Sequence, residues 1–181
     1  MATSKRQPAN APARLRRMYI DCRYGQLHLT SAYPASGGFD EASPIIFLHA
    51  ENGTGADFNR CAVLLGTDRS IYAPDLPGSG ASDAPKGRMA VAGLALAVVD
   101  LLDNLRLKRL DLVACGRGAL VAYELAATRP QEVRRLAIAG TQQPAAAVAQ
   151  PLLQLSPEPG CVLAEPAEAV VAEIRSFLDK V

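Results

Sequence analysis

The sequence predicts an α/β fold: a mostly parallel, twisted sheet with helices on both faces and an N-terminal antiparallel hairpin. Three observations carry this expectation. Short apolar runs alternate with segments of helical period roughly every ten to fifteen residues. The run Ile45-Ile46-Phe47-Leu48 is continuously apolar, as a strand covered on both faces must be. Two alternating segments near the front of the chain are separated by a tight turn at Arg23–Gly25.

The elements follow in order. Met18–Cys22 and Gln26–Ala32 read as the hairpin strands, with Tyr24-Gly25 as the turn. Pro44–His49 reads as the first buried strand, Asp57–Leu65 as a short helix, and Ser70–Ala73 as a strand stopped by Pro74. Met89–Leu105 is predicted helical, because Val91, Leu94, Ala95, Val98, Val99 and Leu102 share one face. Leu110–Ala114 is a strand and Arg117–Thr128 a helix that stops before Pro130. Arg135–Ala139 is a further strand, and Pro166–Lys180 a closing helix with Val170, Ile174 and Phe177 on one side. Between Gly140 and Gly160 there is room for one short strand at Leu152–Leu155.

Composition narrows the function. The chain has 181 residues, 49% of them hydrophobic and 20% charged, with a net charge of +1. A near-neutral chain lacks the field that nucleic acid or an anionic membrane surface would require. The longest apolar run, Met89 to Val99, is well short of the ~20 residues of a spanning helix. No secretory apolar core stands at the N-terminus. Cys22, Cys61, Cys115 and Cys161 are widely spaced, which argues against a zinc site and for reduced thiols in a cytoplasm. Neither a cofactor nor a metal is implied. Residues 1–17 carry Lys5, Arg6, Arg14, Arg16 and Arg17 without an acid, and read as a disordered basic tail ahead of a single domain over 18–181.

Three segments resemble the α/β-hydrolase fold family. Ile45–Gly53, with His49-Ala50-Glu51-Asn52-Gly53, is similar to the strand and His-Gly loop that helps form an oxyanion hole there. Asp75-Leu76-Pro77-Gly78-Ser79-Gly80-Ala81-Ser82 matches the family's Asp-x-Pro-Gly-x-Gly-x-Ser turn, the most specific of the three. Leu110-Asp111-Leu112-Val113-Ala114-Cys115-Gly116-Arg117-Gly118 is placed like its strand, nucleophile elbow and helix. The likeness covers about residues 18–140 and 158–181.

The resemblance implies a nucleophile, a base and an orienting acid. In the frame Ala114-Cys115-Gly116-Arg117-Gly118, the nucleophile position is Gly116, which has no side chain to attack with. Only two histidines exist. His49 lies in the oxyanion-type loop, and His28 reads as a plain strand or surface residue. The dipeptide that matches the family's Gly-His is Gly160-Cys161, and a thiol is a poor substitute base. No acid occurs between Glu132 and Glu158, where the orienting carboxylate would stand. The short 140–160 segment implies that the helical cap and the seventh strand are missing together.

The residues that could still do chemistry are therefore few. Cys115, beside the elbow, is a nucleophile candidate only with a base in reach, and otherwise a small core residue. His49 is a candidate base, and otherwise shapes its loop. A Cys115–Cys161 redox pair would need close, aligned Cα atoms. Asp75 is better explained by Asx-type turn bonding than by catalysis. The cluster Asp100, Asp103, Arg106, Lys108 and Arg109 reads as a solvated helix end. Gly116-Arg117-Gly118, opening a helix, offers backbone N–H groups and a guanidinium to an anion. His49, Ala50, Gly116, Arg117 and Gly118 are thus the expected ligand-binding set. Two functions compete: a non-catalytic homologue that binds a small ligand, an anion among the candidates, or a partner protein or second copy; and an active hydrolase, lyase or cyclase that uses Cys115 or His49.

Overall fold

The computed structural model describes residues 12–35, 42–140, 148–155, 163 and 168–180. Seven strands form one sheet: β1 (Arg14–Cys22), β2 (Gly25–Tyr33), β3 (Ile45–Leu48), β4 (Ile71–Pro74), β5 (Leu110–Cys115), β6 (Val133–Ala139) and β7 (Leu152–Gln154). Their spatial order is β1-β2-β4-β3-β5-β6-β7. The β1/β2 and β2/β4 pairs are antiparallel and all others parallel. The helices are α1 (Asn59–Leu65), entered through a 3-10 turn at Gly55–Phe58, then α2 (Val91–Leu105), α3 (Arg117–Thr128) and α4 (Glu168–Leu178). The mixed, mostly parallel sheet is the predicted fold class.

Period-two alternation distributes the core to both faces. Ile46, Leu48, Leu112, Ala114, Leu136 and Ile138 pack under α2 and α3. Ile45, Phe47, Val113, Cys115, Ala137 and Ala139 pack under α1 and α4, where Phe47 stacks on Phe58 at 4.7 Å. The buried stripe of α2 is wider than its period suggests. Ala97 and Leu101 are buried too, because α2 packs on α3 as well as on the sheet, including its edge strand β1.

Several expectations are corrected. The basic residues Arg14, Arg16 and Arg17 belong to β1 rather than to a tail, since Arg14–Arg17 pair with Thr30–Tyr33 of β2. The ladder satisfies their backbone while the arginines stay exposed on an edge strand. Residues 1–11 lie outside the described residues. The hairpin loop is Arg23-Tyr24, one residue earlier than expected, because Asp100 of α2 accepts from both the backbone N–H and the guanidinium of Arg23 at 2.8 Å. Asp100 is thus a structural anchor and not part of a solvated helix end. The short strand expected at Leu152–Leu155 forms as β7 and adds to β6 in parallel, with Leu136–Ile138 aligned to Leu152–Gln154, so the sheet has the seventh strand that the resemblance had implied was missing. An edge strand needs only one neighbour, so three residues suffice.

Charged side chains fix α4 below the sheet. Arg134 of β6 donates to both carboxylate oxygens of the fully buried Asp111, at 2.9 and 2.6 Å, and to the Leu178 carbonyl. Arg135 donates to the Leu178 and Lys180 carbonyls, and Arg175 pairs with Asp68 at 2.9 Å. Cations at these terminal carbonyls complement the helix dipole.

Candidate functional site

The carboxyl ends of β3, β4 and β5 converge on a cleft of about 640 Å³. The loop after β3 supplies His49 through Thr54, and the turn after β4 supplies Leu76 through Gly80. Residues 84–89 form the far wall, and Arg117 enters from the start of α3. The carboxyl edge of an open α/β sheet is where such folds place ligands.

Asp75 builds the turn. It is 3% exposed. Its Oδ1 accepts from the Gly55 N–H at 2.7 Å, and its Oδ2 from the Ala81 N–H at 2.9 Å. His28 Nδ1 meets the same Oδ2 at 2.9 Å. Ser82 Oγ donates to the Asp75 carbonyl and accepts from the His28 N–H. His28 is therefore more than a plain strand residue: its ring ties β2 to the turn. Nothing local in the sequence signals a pair separated by 47 positions.

His49 is 2% exposed and spends both ring nitrogens on backbone, one in its own loop and one in the turn after β4. Its Nε2 lies 2.8 Å from the Leu76 N–H, which can only donate, so Nε2 accepts. Its Nδ1 therefore carries the proton and donates to the Ala50 carbonyl at 2.7 Å. Burial holds its pKa below the ordinary value, against smaller opposing effects of the Ala50 carbonyl, Asp75 and Asp57.

The elbow is Gly116, between β5 and α3, with φ 52° and ψ −124°. A Cβ built there would lie 2.8 Å from Ala50 Cβ and 3.2 Å from Ala50 Cα. Gly118 packs so closely on β3 that a Cβ would collide with the Leu48 and His49 carbonyls. Cys115 is 2% exposed, within the layer under α1 and α4, and does not line the cleft. The Cys161 thiol and the Gly160-Cys161 dipeptide lie outside the described residues.

Of the expected binding set, the structure brings His49, Ala50 and Arg117 to the cleft. Gly116 sits beneath Ala50, and Gly118 faces the strand end. The Arg117 guanidinium donates to the Met89 carbonyl and stands 3.7 Å from Glu51. Glu51 and Arg88, neither of them expected, face each other at 2.7 Å. An acid in the oxyanion-type loop and an arginine in a polar segment were the only traces of them in the sequence. Among the described residues no cluster of His, Cys, Asp or Glu is disposed to hold a metal, and no helix is long and apolar enough to cross a membrane.

A sheet of this order, with a strand–tight turn–helix elbow facing a histidine loop, defines a class of open α/β-sheet proteins with a cleft at the carboxyl edge. Residues 43–159 match the model of the α/β hydrolase fold, and the chain belongs to that family. An uncharacterised protein of Mycobacterium tuberculosis is 34% identical over 92 residues, 51% of this chain and 27% of that protein. The haloalkane dehalogenase of Psychrobacter cryohalolentis is 29% identical over 107 residues, 58% of this chain and 35% of that enzyme. The crystal structure of an epoxide hydrolase from Vigna radiata shares the fold, with a TM-score of 0.63 and 22% identity, covering 70% of this chain and 38% of that one. The chain thus matches about a third or less of the length of these curated relatives.

Proposed function

We propose that this chain is a ligand-binding α/β-hydrolase homologue without hydrolase chemistry, working in a reducing cytoplasm. The observation that carries the reading is the joint state of the elbow and the loop. Gly116 offers no nucleophile, Ala50 occupies the space above it, and both nitrogens of His49 are bonded to backbone, one in its own loop and one in the turn after β4. A base needs a lone pair directed at the proton it removes. The His49 lone pair is held by the Leu76 N–H. What persists is a cleft of about 640 Å³, within the range that small molecules occupy.

The likeness to a dehalogenase favours a second reading, an active enzyme that uses Cys115 or His49. The burial of Cys115 in the layer under α1 and α4, outside the lining of the cleft, weighs against it. Hydrolysis of a panel of short-chain activated esters by the purified chain, beside Cys115→Ala and His49→Gln variants, separates the two. No turnover above the uncatalysed rate is expected in a chain with a native circular dichroism spectrum. Turnover lost in Cys115→Ala would make that thiol the nucleophile and overturn the proposal. Turnover lost in a folded His49→Gln variant would do the same for His49.

A further inference from the structure

The mouth of the cleft contains a carboxylate that the fold does not need. Glu51 follows Ala50 in the oxyanion-type loop, and its side chain is 52% exposed. Its Oε1 lies 2.7 Å from Arg88 Nη2 and 3.7 Å from Arg117 Nη1. The two arginines come from different segments. Arg88 stands on the far wall, and Arg117 on the first turn of α3. Arg117 is pre-set, since its other terminal nitrogen donates to the Met89 carbonyl and its side chain is only 23% exposed. Two guanidinium groups thus converge on one carboxylate, and that carboxylate is the protein's own.

Two guanidinium groups against one acid leave a positive excess at the rim. Leu76, Pro77, Pro85, Met89 and Leu94 also line the cleft and supply its apolar surface. Two guanidinium groups beside apolar side chains, in a lining of mixed polarity, fit a small molecule with one anionic end and a short apolar body. Guanidinium groups favour planar carboxylates, and Glu51 demonstrates that a carboxylate fits between them.

We infer that the cleft binds a small monocarboxylate with an apolar body, by exchanging its carboxylate for that of Glu51 between Arg88 and Arg117. This rests on the reading of the cleft as a ligand site. Glu51 then acts as an internal competitor: with the site empty it offsets one of the two positive charges and bridges the loop after β3 to the far wall. The incoming carboxylate releases it to water. The exchange loses little, because an exposed ion pair contributes only modestly to stability.

The test is a chemical-shift titration of the 15N-labelled chain with hexanoate and with neutral hexanamide, at low salt. It is run on the natural sequence, on Glu51→Gln and on Arg88→Gln. Both positions are more than half exposed, so folding is not at stake. Hexanoate is expected to bind more tightly than hexanamide. Glu51→Gln should tighten hexanoate by about two- to fivefold and leave hexanamide unchanged, and Arg88→Gln should weaken hexanoate. The gain in Glu51→Gln should shrink as salt rises. Equal binding of both probes at the cleft, insensitive to Glu51→Gln, would overturn the exchange and leave the ligand-site reading standing. Weaker hexanoate binding by Glu51→Gln would make Glu51 a support instead of a competitor, and would also overturn it. Absence of cleft shifts with either probe at millimolar concentration, in every variant, would overturn both.

Discussion

The methyl group of Ala50 stands 2.8 Å from the point that a Cβ on Gly116 would occupy. The two positions are complementary in volume: the side chain absent from the elbow has its space filled from the opposite loop. The missing nucleophile is thus part of a packed arrangement and not an empty place awaiting a serine.

Restoring a hydroxyl at the elbow should therefore cost stability. Gly116→Ser imposes both the contact with Ala50 and a φ of 52° on a residue with a Cβ, a strain of about 1–3 kcal/mol. Adding Ala50→Gly removes the closer of the two contacts and leaves the one to Cα at 3.2 Å, so the double variant should be more stable than the sum of the single changes predicts, by about 1 kcal/mol. Urea unfolding of all four proteins measures this coupling. Strict additivity would show that Ala50 does not close the elbow.

His49 makes stability depend on pH. Its pKa is depressed in the folded chain and ordinary, near 6.5, in the unfolded one. Below 6.5 the unfolded state takes up a proton that the folded state refuses, so stability falls with acidification until the depressed folded pKa is reached. Protonation would also cost the bond from the Leu76 N–H, because Nε2 could no longer accept. Denaturation midpoints measured from pH 7.5 to 5 should decline, and more shallowly in His49→Gln. Parallel profiles would show that another group carries the dependence.

Asp75 should prove structural. Its two oxygens accept from Gly55 N–H on one side and from Ala81 N–H and His28 on the other. An asparagine at this position presents an NH2 to one of these buried donors. Asp75→Asn should lose about 1–3 kcal/mol, the penalty of an unsatisfied buried group. Thermal unfolding measures it. An unchanged melting temperature would remove Asp75 from its place as the turn's anchor.

Much of this architecture was legible in the chain. Ile45–Leu48, the α2 stripe and the elbow at Gly116 are local patterns: an apolar run, a period, and a glycine where φ is positive. Where the reading failed, the partner was distant in sequence. Arg14–Arg17 read as a tail because charge is a property of residues, whereas their ladder bonds depend on Thr30–Tyr33. The turn position depended on Asp100, and the place of His28 on Asp75. At the site, Arg117 was legible from its place beside the elbow. Glu51 and Arg88 were not, because their pairing exists only once the loop after β3 and the far wall are folded together.

The ion pair beneath the sheet allows a prediction in which the two partners differ. Asp111 is fully buried, and burial pushes its pKa above the ordinary value even though the bidentate contact with Arg134 pulls the other way. Removing either partner of a buried pair costs about 3 kcal/mol. Asp111→Ala removes the acid and with it the low-pH stability that a raised folded pKa gives the natural sequence, so its penalty should be greatest at low pH and shrink towards neutrality. Arg134→Met leaves the acid in place with burial opposed only by the charges of Arg69 and Arg135, and its folded pKa should rise further. A carboxyl with a raised folded pKa contributes stability at low pH that is lost as pH rises through that value. Arg134→Met should therefore be closest to the natural sequence near pH 4.5 and fall away towards neutrality, while Asp111→Ala should not. Arg134→Met also loses the bond to the Leu178 carbonyl, so amide exchange at the end of α4 should quicken in that variant alone. Urea unfolding at several pH values, with hydrogen exchange on α4, reads both effects. A flat profile for Arg134→Met would mean that water reaches Asp111 once the arginine is gone.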